Sequence, residues 1–414
     1  MSTNQLPKAF WILFAGQLAN RIGNVVVAFL VFYLAARGLD AGQTALVMAV
    51  FGGTGLISQP VGGALSDRFG ARVTLVAGML GSATCLCLFG VVTNWVWLTV
   101  TAGLLGLVGE IYRPASAALL TDIVPPAQRM RAFGLVYWAV NLGFPIAGAA
   151  GGLLASHGYG LLFVLDAGTC LVFAGIIAVG VRHDTRGSQR RIEGYGLAVR
   201  DRTVLVLVVV NAGFVAVLTQ CTVGVAFAVR DAGLGVGMYG LVAIVNGLGI
   251  VVLQPLCARL LCWFEPLHVL AASGLVVGAG MAMTGLARTP TDYLGIVLLW
   301  TLGEAGAGGI VSALVADRAP AGAQGRYQAL LGWGTGVGKF VATAAGAFLY
   351  SVHPGVLWIG CAVAGLLCCL ACFALAKRLV SPRKELHHAV EPVGQDRRAG
   401  QPAVPGHDDA RSRR

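Results

Sequence analysis

Residues 118–138, ALLTDIVPPAQRMRAFGLVYW, match residues 313–333, ALVADRAPAGAQGRYQALLGW, without a gap. The match pairs Asp122 with Asp317, Arg131 with Arg326 and Trp138 with Trp333, each 195 residues apart. The same offset pairs Gln59-Pro60 with Gln254-Pro255. Apolar segments resemble one another by composition alone. A gapless match that includes charged residues of polar connections does not follow from composition, and it marks a tandem duplication.

Working outward, 57% of the 414 residues are hydrophobic, 11% are charged and 59 are glycine. A soluble domain carries about 25% charged residues. Crossing the hydrocarbon takes about 20 largely apolar residues, and twelve such runs are present: 9–36, 43–65, 74–93, 95–121, 132–155, 159–181, 204–229, 237–257, 268–287, 291–315, 327–352 and 355–378. Helices are required, because a lone strand leaves its backbone unpaired in lipid. The ten-residue alternation of a β-barrel is absent from the sequence. The predicted fold is therefore an all-α integral membrane protein, twelve transmembrane helices in two parallel six-helix bundles. Its parts are an N-terminal bundle (1–181), a central polar loop (182–203), a C-terminal bundle (204–379) and a tail (380–414) too poor in apolar residues to fold.

Twelve spans put both termini on one face. Of 29 Lys and Arg, only Arg37, Arg230 and Arg288 fall on the opposite loops and Arg21, Arg113 and Lys339 within spans, which leaves 23 on the face of the termini. The positive-inside rule makes that face cytoplasmic. The net charge of +11 is thus a topology signal scattered through loops and tail, and no nucleic-acid partner is expected. The apolar run behind Lys8 is too long for a signal peptide and carries Arg21, so it reads as the first span. Most of the ten cysteines lie inside apolar runs and read as small packing residues, with neither disulfides nor a metal site expected.

A charge at mid-span costs roughly 2.5 to 3.5 kcal/mol, yet the spans hold Arg21, Glu110, Arg113, Asp166, Glu304 and Lys339. On the first span Gln17, Asn20, Arg21 and Asn24 follow i, i+3, i+4, i+7 and form one polar stripe. Glu110 and Arg113 stand one turn apart, in pairing distance. Thr301 and Glu304 share a face of the tenth span, and the 195-residue offset sets Glu304 against Gly109, beside Glu110. Two readings of the carboxylates stay open: proton carriers in a hydrated cavity, or ion pairs (Glu110 with Arg113, Glu304 with Lys339) that fix helix packing. Asp166, toward the outer end of its span, reads as structural. Phosphate-binding loops, nucleophile elbows and zinc-helix motifs are missing from the sequence, which argues against catalysis.

Residues 62–75, GGALSDRFGARVTL, then resemble the loop between the second and third spans of the major facilitator superfamily. Gly63, Asp67, Arg68, Gly70 and Arg72 fit its pattern, and Val73 replaces the last basic residue. The resemblance extends over residues 9 to 379. It implies that the first, fourth, seventh and tenth spans line a central cavity, and that Asp67 and Arg68 act as a gating latch. By physical reasoning Asp67 faces a positive helix N-terminus across the domain interface. The second-half copy of the loop has lost the motif, which implies asymmetric gating. Residues 143–152, GFPIAGAAGG, resemble the antiporter motif of the fifth span at Gly143, Gly151 and Gly152, while Ala147 and Gly148 replace its Gly-Pro.

The resemblance implies a secondary transporter: proton-coupled efflux of small lipophilic or amphipathic compounds, with no cofactor and a proton gradient as energy source. Expected site residues are Glu110, Glu304 and Arg113 for proton coupling and Gln17, Asn20, Arg21, Asn24, Tyr112 and Thr301 for the substrate cavity. Expected partners are a small-molecule substrate, protons and the bilayer, with the chain acting as a monomer. Two alternatives are import of a small polar solute, if the polar stripe bonds the substrate, and a receptor or assembly partner that transports nothing. The excess of Arg over Lys (25 against 4) suggests a bacterial plasma membrane.

Overall fold

The computed structural model describes residues 5–155, 157–181 and 194–388, and every element among them is helical. The first span is split into α1 (Lys8–Gly23) and α2 (Val26–Ala36); α3 (Ala41–Phe69) and α4 (Ala71–Val91) are the second and third. The fourth is split into α5 (Trp95–Gly109) and α6 (Tyr112–Ile123), and α7 (Pro126–Ala155) and α8 (Gly160–Gly180) complete the first half. After the short α9 (Gly196–Arg200) come the split seventh span, α10 (Arg202–Thr219) and α11 (Gly224–Asp231), then α12 (Val236–Leu260) and α13 (Pro266–Met283). The split tenth span is α14 (Pro290–Ala307) and α15 (Ile310–Arg318), followed by α16 (Gln324–Val352) and α17 (Pro354–His388). Nine of these spans are long and apolar enough to cross a membrane by composition alone; the first, fifth and eleventh complete the twelve.

The helices begin where polar side chains take up free N–H groups. Asp40 accepts from Gln43 N at 2.8 Å while the Gln43 side chain returns to Asp40 N, a capping box that starts α3. Thr289 and Asp292 do the same for α14, with Pro290 in its first turn, and the Asp201 carboxylate accepts from Thr203 N and Val204 N to start α10.

Packing follows the duplication. In the first half α3 packs on α5, α1 on α7 and α4 on α5; their counterparts pack alike in the second, α12 on α14, α10 on α16 and α13 on α14. The two seams between halves correspond as well: α3 against α16, and α12 against α7. The chain forms two compact units, Met1–Leu375 and Ala376–Arg414; the second begins within α17.

Three sequence expectations need correction. The motif between spans two and three is not a loop: α3 runs on through Asp67 and Arg68 to Phe69, and Gly70 alone, at φ 97°, turns the chain into α4. A side chain is strained at that φ, which gives this glycine its reason. The fifth span starts at Pro126 rather than at 132, because a helix continues past the hydrocarbon wherever polar residues can face water. The tail is helical to His388 instead of losing structure at 380; residues 389–414, and 182–193 of the central loop, lie outside the described residues.

Candidate functional site

All four interrupted spans belong to the set one, four, seven and ten. The breaks fall at Asn24–Val25, Glu110–Ile111, 220–223 and Gly308–Gly309. Adding 195 to the first two gives 219 and 305, within three residues of the other two. A break in lipid frees backbone groups that need partners, and each one here has a polar side chain beside it. Val26 N donates to the Asp166 carboxylate at 3.2 Å, so Asp166 holds the start of α2. The Gln220 amide donates to the Ala342 carbonyl of α16 at 3.0 Å. The Gln254 amide packs beside Gly308 and donates to the Gly134 carbonyl across the seam at 2.6 Å.

The break in the fourth span presents Glu110 and Arg113 together. They form an ion pair, and Gln59 of α3 donates to the same Glu110 oxygen at 3.2 Å. The Arg113 side chain is 41% exposed and that of Glu110 36%. Charges open to lipid at this depth are untenable, which makes the opening a candidate water-filled cleft. Gln59 also abuts Gly332 of α16, which places the cleft between the two halves.

Glu304, on α14, has a different environment. It is buried and accepts from the Tyr137 hydroxyl at 2.7 Å and the Asn246 amide at 3.0 Å. Tyr137 belongs to α7, in the other half. Asn246 also donates to Thr301, which is fully buried. Lys339 is not its partner: it stands on the exposed side of α16, within Coulombic reach of Arg21, Glu110 and Arg113. The expected Glu304–Lys339 pair therefore gives way to two neutral donors.

The polar stripe of the first span is also redistributed. Gln17 and Asn20 are buried inside the first half, where Gln17 bonds Ser116 of α6 and Asn20 donates to Cys170 of α8 at 3.3 Å. Arg21 bonds the hydroxyl of Tyr112 and lies 5.4 Å from its ring centroid; Asn24 sits at the break. A stripe that wide on a helix packed against α6, α7 and α8 meets neighbours on two sides, so two of its four members serve packing.

On the face where α1 begins, Asp67 crosses the α3–α16 seam. Its carboxylate accepts from Gly325 N at 2.8 Å, Arg326 N at 3.1 Å and the Arg326 guanidinium at 3.1 Å. An anion thus meets a helix N-terminus, where the dipole favours it. The helices touch backbone to backbone: a methyl on Gly63 would come within 2.6 Å of the Gly325 carbonyl oxygen. Arg72 instead donates to carbonyls at the end of α8, and Arg68 lies over the Phe69 ring. At the other seam Arg129 pairs with Asp317 at 2.9 Å and bonds the Thr121 carbonyl. Tyr195, ahead of α9, donates to the Pro60 carbonyl; burial pushes its phenol above the usual range, so it remains a donor. In the fifth span Gly143 packs on the Arg21 backbone and Gly151 on the Phe29 ring. These two glycines bring α7 against the first span.

Tyr137, Asn246 and Gln59 are the site residues that sequence reasoning missed. Gln59 had a signal, its repeat match to Gln254; Tyr137 and Asn246 had none beyond being polar in apolar runs. All ten cysteines are free thiols.

With this geometry in view, the Major Facilitator Superfamily family model matches residues 10–330 and 211–407. The chain is 25% identical over 362 residues to an uncharacterized MFS-type transporter, YttB, of Bacillus subtilis (strain 168), covering 85% of this chain and 90% of that one. It is 27% identical over 323 residues to multidrug resistance protein MdtH of Escherichia coli O157:H7, covering 75% and 79%. Among solved structures, a bacterial homologue of the iron transporter ferroportin in an outward-facing state superposes with TM-score 0.77 at 16% identity, over 90% of this chain and all of that one. The E. coli fucose:proton symporter superposes with TM-score 0.72 at 15% identity, over 89% and 97%.

Proposed function

We propose that this chain, which belongs to the major facilitator superfamily and is a membrane transporter and not an enzyme, exports small amphipathic compounds in exchange for protons. The carrying observation is Glu304: a carboxylate buried at mid-span whose hydrogen-bond partners among the described residues are the neutral donors Tyr137 and Asn246. Those bonded partners are neutral, so it can gain and lose a proton without breaking an ion pair. Glu110 is a weaker carrier, because taking up a proton there would break its ion pair with Arg113.

The cycle follows from the bond between halves. Ionised, Glu304 accepts from Tyr137 and holds α14 to α7 at mid-span, while Asp67 and Arg129 close the basic face. A proton taken up from the opposite face removes Glu304 as a full acceptor and loosens the seam. The halves then rock, the proton leaves to the cytoplasm and substrate enters. The basic loops make the closed face cytoplasmic, and bacterial relatives point to a plasma membrane. The multidrug resistance protein among the relatives supports outward transport. Import of a polar solute loses its support, since Gln17 and Asn20 already have partners within the first half. A receptor without transport leaves two bonded seams without a use. The protein is proposed to work as a monomer.

Purified protein in proteoliposomes tests this. An imposed pH gradient is expected to drive accumulation of at least one member of an amphipathic panel, and a protonophore to abolish it. Movement that ignores the gradient for every compound transported would contradict proton coupling.

A further inference from the structure

The charges that face the cleft do not balance. Arg21, Glu110 and Lys339 each lie about 20 Å along their helices from the basic face, at 1.5 Å per residue, with Arg113 about one turn closer to it. Against these three cations stands, among the described residues, one cleft carboxylate, Glu110, and Arg113 takes it. Asp166 is occupied behind α1 by Val26 N, and Glu304 by Tyr137 and Asn246. The Arg21 guanidinium meets the Tyr112 hydroxyl and ring rather than a carboxylate. The Lys339 ammonium has no ion pair among the described residues.

Helix register places Lys339 at this cleft independently of its charge. Gly332 packs on Gln59 and Gly336 on Leu56, both of α3. Lys339, three residues beyond Gly336 and seven beyond Gly332, continues that stripe toward mid-membrane. Gln59, at its lower end, holds Glu110. Arg113 moreover occupies the first turn of α6, where the helix dipole disfavours a cation. Each of these placements costs free energy unless an anion visits the cleft.

We infer that the substrate is an amphipathic organic anion whose acidic head group sits between Lys339, Arg113 and Arg21, with Lys339 as its direct counter-ion. This rests on the transport reading above and narrows its substrate class.

The test uses the full chain in lipid nanodiscs at neutral pH, with no gradient, and three probes of one skeleton: 11-(dansylamino)undecanoate, its primary amide and the corresponding amine. The carboxylate is expected to bind about tenfold or more tighter than the amide, and the amine weakest, as a charge pair in a partly dehydrated site requires. Lys339→Gln is expected to bring carboxylate and amide within about threefold, and Lys339→Arg to keep the preference. Removing an unpaired cation should raise the thermal stability of the ligand-free protein, so lost binding will not reflect lost folding. Equal or tighter binding of the amine, or a preference that survives Lys339→Gln unchanged, would overturn the inference. The proton reading fails separately: carboxylate binding without pH-driven movement defeats coupling and leaves the anion site, whereas pH-driven movement that favours the amine defeats the anion site and leaves coupling.

Discussion

Glu304→Gln keeps the size of a protonated carboxyl and an oxygen that accepts from Tyr137, so it should leave thermal stability within about 1 kcal/mol of the wild type. Glu110→Gln behaves differently. It strands Arg113 beside two further cations and should lower stability by about 1 to 3 kcal/mol, less than a fully buried pair because both side chains are partly hydrated. Thermal unfolding of the two variants in one detergent separates them; equal melting would contradict the assignment of Glu110 to an ion pair and Glu304 to neutral donors. Spacing alone made the first environment readable, since Glu110 and Arg113 are three residues apart within a single span. It concealed the second, because Tyr137 and Asn246 reach Glu304 from two other spans and sequence periodicity carries no information across helices.

Interrupted helices and crossed seams set how the elements move. Gly309 begins α15 at φ 81°, and its Cα packs on the Phe133–Gly134 backbone of the other half. Gly309→Ala therefore meets both backbone strain and a clash, and should destabilise the protein by about 2 kcal/mol or more. A melting temperature equal to wild type would show that the seam there is loose. Asp67→Asn retains the hydrogen bonds from Gly325 N and Arg326 N in weakened form but loses the charge facing the α16 N-terminus. It should shift the access equilibrium by about 1 to 3 kcal/mol away from the state closed on this face. Cysteine reactivity of residues lining the cleft, measured from each side of the membrane, reports that shift, and an unchanged ratio would remove Asp67 from the latch. The charge and glycines of this motif were readable, as was the need for a helix N-terminus opposite. Which N-terminus, and that Tyr195 bonds the same helix, depend on how the halves cross, which no local pattern encodes.

At the scale of the whole molecule the duplication did most of the predictive work. Twelve spans, the corresponding seams α3–α16 and α12–α7, and breaks at matching places in spans one and seven and in four and ten all descend from one offset of 195 residues. What the offset could not convey is where the halves differ: Glu110 has no acidic counterpart at 305, and Cys262 stands where the repeat of Asp67 would be. Those differences give the molecule an ion pair in one half, a neutral-donor carboxylate in the other and, at the α3–α16 seam, the Asp67 latch. Glu304→Gln in proteoliposomes decides whether Glu304 carries the proton, by pH-driven accumulation and gradient-free exchange of the same substrate. Accumulation is expected to be lost while exchange persists near the wild-type rate; full pH-driven accumulation by the variant would rule Glu304 out as the proton site.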